Sequence, residues 1–366
     1  MSKFSNLQRC ITVTTQGILL STQIVVDLEY AFYLQTENNV LKHFYSKTAM
    51  HEFIVEIQSG KIYKAIFFYK YNGSVEKHEL LFFVNKNKDV VFLENENIIE
   101  HDNYKIDYYN ISSNSTFIVF NGYGSNKKSK PFGLLFLINL GFNVISVLQD
   151  NNQYQGLSFE DFEFYVAKYV KNKNVFLYGS SLGAYAAIYY AGAVNGTVIA
   201  AAPRNSAHPI MNSTSENFKD VKFLHKDISA NQKTCQLVYV FIDPLNDVDM
   251  FFLKNVIYSS YPNLILLPFK FAGHEVLYHL NKTNQLKNII SEIVDGKMPA
   301  VDVNVESICT DLGRAKYYLD NSKRELCLSY INRVANSKDL DDRVRLLIND
   351  IIKKYNENFN QSIKLI

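Results

Sequence analysis

Val175-Phe176-Leu177-Tyr178-Gly179-Ser180-Ser181-Leu182-Gly183-Ala184-Tyr185-Ala186-Ala187 is the stretch on which the reading of this chain turns. A short apolar run ends in Gly-x-Ser-x-Gly and passes directly into small helix-forming residues, which spells strand, sharp turn and helix. Gly179 and Gly183 suit a turn too tight for side chains on either flank, and Ala184 and Ala187 let the helix lie close to a sheet. Such a turn lifts the hydroxyl of Ser181 clear of the strand end, so Ser181 is the candidate nucleophile.

A serine hydroxyl needs a base to take its proton and a third group to orient that base. After an elbow of this kind the acid comes next in the chain and the histidine last. His208, His225, His274 and His279 follow Ser181. His274 alone lies in a loop directly after a late strand, in Lys270-Phe271-Ala272-Gly273-His274-Glu275, and is the expected base. The acid is expected after the strand Leu237 to Ile242, where Asp243, Asp247 and Asp249 compete. We take Asp247, a few residues beyond the strand end; Asp243 can brace the turn with Pro244, and Asp249 can cap the next helix.

Attack on an ester builds negative charge on the carbonyl oxygen, which fixed donors must meet. The backbone N–H of Leu182, immediately after the nucleophile, is one expected donor. The second is expected from Gly122 or Tyr123 in the loop Asn121-Gly122-Tyr123-Gly124, after the first strand of the same unit. That loop lacks the GxxxxGK[ST] spacing of a phosphate-binding loop.

Around this centre the 366 residues fall into three stretches of different rhythm. Residues 1–105 are expected to form a small antiparallel β-sandwich. Its strands are read at Ile24–Val26, Tyr30–Leu34, Phe53–Ile57, Tyr63–Tyr69 and Leu80–Val84, with turns at Ser59-Gly60 and Asn72-Gly73. Its tyrosines and phenylalanines are read as core, ahead of a stacking platform for sugars. A polar stretch, Glu94 to Asn114, leads to residues 106–300, where strands alternate with helices and predict a mostly parallel sheet with helices on both faces. Helices are expected at Pro131–Leu140 and Leu157–Val170, the latter capped by Ser158. The crossover between Ala202 and Gln236 is a candidate helical cap. Residues 301–366 place Ala315, Tyr318 and Leu319, then Leu326, Leu328, Ile331 and Val334, then Val344, Leu347, Ile348, Ile351 and Ile352 at helical spacing, which predicts a helical appendage.

Composition sets further bounds. At 47% hydrophobic and 20% charged residues the chain is that of an ordinary globular protein. A net charge of +2 with scattered lysines gives no basis for a nucleic-acid partner. No stretch reads as a signal peptide or a membrane span. Four separated cysteines, without a CxxC pair, fit neither a zinc site nor a disulfide framework, so no metal is expected and a reducing cytoplasm is the expected location. Abundant Asn, Lys and Ile point to an AT-rich, bacterial genome.

The elbow, the acid-bearing segment Asp243 to Asp249, His274 and the loop Asn121 to Gly124 together resemble the α/β-hydrolase superfamily over Phe117 to Val294. The resemblance implies an α/β fold with a serine esterase or acyltransferase activity. With an aromatic-rich β unit ahead of it, the chain is also similar in layout to the α/β-hydrolase-type O-acetyltransferases of bacterial surface polysaccharides, and to a carbohydrate-linked accessory component of bacterial adhesin secretion. The expectation is acyl transfer through Ser181 to or from a small ester or carbohydrate, with acetyl-CoA as a candidate donor and no permanently bound cofactor. The alternatives are a general carboxylesterase and a non-catalytic interaction protein.

Overall fold

A computed structural model describes residues 4, 6–36, 39–211, 218, 221–338 and 340–365. In chain order the elements are β1 (Arg9–Val13), β2 (Gly17–Thr22), β3 (Glu29–Gln35), β4 (Val40–Ser46), β5 (Met50–Ile54), β6 (Ile62–Tyr71), β7 (Ser74–Val84), β8 (Val90–Glu100), β9 (Tyr104–Asn110) and β10 (Ser115–Phe120). There follow α1 (Leu134–Asn139), β11 (Asn143–Gln149), α2 (Phe159–Val170), β12 (Asn174–Ser180), α3 (Leu182–Val194), β13 (Thr197–Ala201), β14 (Val238–Ile242), α4 (Asp247–Phe252) and β15 (Ile265–Pro268). The last five are α5 (Val276–Lys282), α6 (Leu286–Val294), α7 (Ile308–Asp320), α8 (Arg324–Ala335) and α9 (Asp342–Phe359). The chain divides into two compact units. One comprises Met1–Ile98, Ile106–Thr116 and Gly133–Ser146, the other Ile99–Lys105, Phe117–Phe132 and Val147–Ile366.

In the first unit β1, β2 and β5 form one antiparallel sheet, and β4, β3, β6, β7 and β8 pair antiparallel in that order. Ile18, Leu20 and Phe53 from the smaller sheet meet Tyr30, Phe32, Phe67, Tyr69 and Phe82 from the larger in one buried cluster. These aromatic residues are core as read, whereas Phe44, Tyr45 and Phe92 are exposed, and the unit is sandwich-like. The β6–β7 hairpin closes through Asn72-Gly73, both at positive φ (47° and 79°), with Tyr71 opposite Ser74. That is the two-residue turn whose twist matches the strands it joins.

Three readings in this region are corrected. Ile24–Val26 is not a strand; Ile24 and Val26 are among the most exposed apolar side chains, at 76% and 82%. The strand read at Phe53–Ile57 is β5, which ends at Ile54. The polar stretch Glu94 to Asn114 holds most of β8 and all of β9. Much of β8 is exposed, so its polar residues hide a strand that lies between β7 and β9 in the sheet.

In the second unit the strand order is β10-β12-β13-β14-β15, with parallel pairing from β12 through β15. All six residues of β10 and all five of β14 are buried, which is why these strands read as unbroken apolar runs. Helix α3 is buried from Leu182 to Ala193. Helix α2 starts where Ser158 accepts a hydrogen bond from the Asp161 N–H, the expected cap. Between residues 202 and 236 the described residues hold only two short 3-10 turns, Pro209–Met211 and Ile228–Ala230, in place of the expected helical cap; residues 212–217, 219 and 220 lie outside the described set. Strand β15 ends the order; it is four residues long and finishes at Pro268. The three last helices share a core of Ala315, Leu319, Ile331, Val334, Val344, Ile348 and Ile352, as their spacing predicts; Leu326 is the exception, at 46% exposure.

Candidate active site

The carboxyl ends of four neighbouring parallel strands each deliver one polar side chain. Ser181 follows β12, Arg204 follows β13, Asp249 follows β14 and His274 follows β15. The crevice at the carboxyl ends of an open α/β sheet is where the loops are free to build a site.

At the elbow, Ser181 has φ 55° and ψ −118°, a conformation that a non-glycine residue holds only when its surroundings enforce it. The surroundings are close. A Cβ at Gly179 would come within 2.3 Å of the Gly183 carbonyl group, and one at Gly183 within 2.2 Å of the Phe120 carbonyl oxygen. The serine N–H donates to the Ala201 carbonyl at 2.9 Å, and its own carbonyl accepts from Tyr185 and Arg204. Both motif glycines thus serve steric needs, and the end of β10 lies against the first turn of α3.

His274 Nε2 is 2.8 Å from Ser181 Oγ, and His274 Nδ1 is 2.8 Å from Asp249 Oδ2. Asp249 is fully buried, while the side chain of His274 is 23% exposed. The expected acid, Asp247, is corrected by this geometry. Asn246 caps α4 by accepting the Asp249 N–H at 3.3 Å, so Asp247 takes the first helical position. Two residues along a helix turn a side chain by about 200°, so only one of Asp247 and Asp249 can face inward. Asp247 is exposed and lines a cavity of about 460 Å³ with Phe271, Lys316 and Tyr317.

Asp243 has the bracing role. Its Oδ1 accepts the Leu245 N–H at 2.9 Å and its Oδ2 the Gly273 N–H at 2.8 Å, which ties the acid-bearing loop to the histidine loop. Burial pushes its carboxyl above the usual range, against the pull of these backbone donors. The histidine loop carries two left-handed residues, Phe271 (φ 65°) and Gly273 (φ 63°). Helix α7 holds it in place: Arg314 lies over the Phe271 ring at 5.1 Å and Tyr317 packs edge-on at 5.7 Å.

Gly122 and Tyr123 stand in the loop after β10. Asn121 pins that loop by donating to the Lys130 carbonyl at 2.9 Å and accepting the Phe132 N–H at 2.8 Å, and Ser125 donates to the Gly122 carbonyl at 2.8 Å. Leu182 occupies the first position of α3, where the backbone N–H has no earlier carbonyl of the helix to bond.

Sequence reasoning missed Arg204. Its Nη1 is 3.1 Å from Asp249 Oδ1 and its Nη2 is 3.5 Å from His274 Nε2. The only signal was position: an arginine three residues past the end of the strand that follows the elbow strand.

His225 belongs to the core. Its Nε2 donates to the Tyr154 carbonyl at 2.9 Å, its Nδ1 accepts from the Tyr185 hydroxyl at 3.0 Å, and Tyr189 stacks on the ring at 4.0 Å. Burial pushes its pKa down to about 4. The folded state therefore keeps the imidazole neutral where the unfolded chain takes up a proton. This contribution is complete above pH 6.5 and is lost as the pH falls from 6.5 towards 4. We expect the stability advantage of the parent protein over His225→Gln to shrink by up to about 3 kcal/mol between pH 7 and 4, read from urea midpoints at the two pH values. An unchanged difference would mean that the ring is protonated in the fold.

Parallel strands, a positive-φ serine elbow, an acid after β14 and a histidine after β15 define the architecture. The second unit is an α/β fold with a largely parallel sheet. No protein-family model and no curated protein matches the chain. Among solved structures, it is similar to the capsule O-acetyltransferase of Neisseria meningitidis serogroup A, over 58% of this chain and 98% of that one, with TM-score 0.42 and 13% identity. It is also similar to Est1E from Butyrivibrio proteoclasticus (55% and 99% covered, TM-score 0.38, 14% identity). A third is XC6422 from Xanthomonas campestris, described as an α/β serine hydrolase without lid (57% and 97% covered, TM-score 0.37, 16% identity). Among the described residues no helix is long and apolar enough to cross a membrane.

Proposed function

We propose that this chain is a serine-dependent acyl-transfer enzyme that works through a covalent acyl-serine, with the O-acetyl group of a bacterial surface carbohydrate as its substrate class. The observation that carries the reading is the unbroken line from Asp249 through His274 to Ser181, 2.8 Å at each link, ending on a serine held at positive φ. His274 Nε2 takes the hydroxyl proton as Ser181 Oγ attacks the ester carbonyl, and Asp249 orients the ring and stabilises the imidazolium. The N–H of Leu182 and an amide of Gly122 or Tyr123 meet the oxyanion. His274 then returns the proton to the leaving group, the sulfur of a thioester donor or the oxygen of an ester, and in the second half draws one from the acceptor hydroxyl. Acetyl-CoA is the donor this reading assigns to a cytoplasmic enzyme, and a sugar hydroxyl the acceptor.

Hydrolysis of a small ester is the second reading. The partial exposure of the His274 side chain favours it, since water reaching the acyl-enzyme competes with any sugar hydroxyl. One experiment separates the outcomes. The purified protein and Ser181→Ala are incubated with p-nitrophenyl acetate, with and without acceptor polysaccharide, following nitrophenol release and intact mass. We expect a burst and an acetyl adduct that both require Ser181. Acceleration by acceptor supports transfer, and indifference to it supports hydrolysis. Release that is equal in Ser181→Ala ends the catalytic reading.

A further inference from the structure

A fully buried carboxylate such as Asp249 is stable only among groups that answer its charge. His274 answers with a neutral N–H while it serves as base. Arg204 supplies the cation, with Nη1 at 3.1 Å from Oδ1. The resting line of Arg204, Asp249, His274 and Ser181 is thereby electrically neutral. Without the arginine it would carry one negative charge and would repel an anion brought up to Ser181.

Only one guanidinium nitrogen is engaged by the acid. The other, Nη2, lies 3.5 Å from His274 Nε2, the atom that is itself 2.8 Å from Ser181 Oγ. The backbone fixes this placement. Ala202 sits at φ 45° and donates to the Phe241 carbonyl at 2.8 Å, Pro203 follows, and the Arg204 N–H donates to the carbonyl of Ser181 itself at 3.2 Å. Strained backbone of this kind persists where the surroundings over-determine it, and it concentrates at functional sites. The next residue, Asn205, is fully buried, and its Nδ2 has no hydrogen-bond partner among the described residues. The guanidinium nitrogens of Arg204 are pure donors, and the group that complements them is an oxyanion such as a carboxylate or phosphate.

We propose that Arg204 is a specificity-determining residue that selects substrates carrying an anionic group on the alcohol or sugar side, close to the reacting oxygen. The inference rests on the acyl-transfer reading and narrows it from carbohydrates in general to acidic ones.

The test compares two acetyl esters of nearly equal shape, anionic 3-acetoxybenzoate and neutral 3-acetoxybenzamide, in the parent protein and in Arg204→Gln. The readout is the ratio of their kcat/KM values, since a loss of positioning alone lowers both and leaves the ratio unmoved. We expect the parent ratio to favour the anion and to fall by roughly 10- to 100-fold in Arg204→Gln, the range of one charge-assisted hydrogen bond. Arg204→Lys, which keeps the charge, is expected to retain part of the preference. An equal ratio in parent and Arg204→Gln overturns the proposal and leaves Arg204 as a positioning residue. A second arm needs no turnover: calorimetric titration of 3-hydroxybenzoate and 3-hydroxybenzamide into Ser181→Ala, with and without Arg204→Gln. Preference for the anion that disappears with Arg204 upholds the proposal even if the parent turns over neither ester, which would count against the acyl-transfer reading alone. No preference for the anion in Ser181→Ala overturns it.

Discussion

Asp249→Asn is expected to lower kcat by about 10³- to 10⁴-fold, whereas Asp247→Asn leaves it within about twofold. The two residues are two positions apart on the first turn of α4, yet one is fully buried against His274 and the other is exposed. An amide at 249 still fills the space but cannot stabilise the imidazolium, and it can hold the ring in the tautomer whose Nε2 carries the proton, which is useless as a base. It also leaves Arg204 without its carboxylate, so a fall in the urea midpoint is expected alongside the fall in rate. Burst kinetics with p-nitrophenyl acetate on both variants decide the matter. Equal rates for Asp249→Asn and the parent would move the acid elsewhere, and a collapse in Asp247→Asn would restore the acid expected from the sequence.

The second large effect is expected at a distance from the nucleophile. A Cβ at Gly313 on α7 would stand 1.8 Å from the carbonyl oxygen of Phe271, so Gly313→Ala must push the histidine loop or the helix aside. Alanine is the better helix former by about 1 kcal/mol, so α7 itself has no reason to melt. Phe271 is three residues before His274, and both it and Gly273 sit in left-handed conformations that tolerate little displacement. A shift of about 1 Å at a catalytic group can cost on the order of 10²-fold. We expect kcat to fall by about that factor, with KM for a small neutral ester little changed. Leu346→Ala, at a side chain 73% exposed on α9, is the control and is expected to behave as the parent. If Gly313→Ala retains full kcat, the histidine loop takes its geometry from Asp243 and β15 without α7.

The sequence made the elbow legible because its constraint is steric and local: Gly179 and Gly183 each meet backbone within 2.3 Å. His274 was legible for a similar reason, as the one histidine directly after a late strand. The choice of acid was not, because distance along a loop was used where helical phase decides. Asn246 sets that phase, and its capping role shows only once the helix start is known. Arg204 carried no periodic signal at all; its meaning comes from Asp249, 45 residues further along the chain. In the first unit the aromatic strands were readable from their buried faces. Strand β8 was not, since pairing engages its backbone while its side chains face solvent. Ile24 and Val26 erred the other way, as β-branched residues in a segment that pairs with nothing regular.

Strand β15 is the last in its order, and an edge strand offers unpaired N–H and C=O groups to any other extended chain. Here the edge is four residues long, with Pro262 just before it and Pro268 as its final residue. Proline has no N–H to give to an incoming strand. The edge from which the histidine loop hangs is thus a poor template for intermolecular pairing, and the base is shielded from being pulled out of register by self-association.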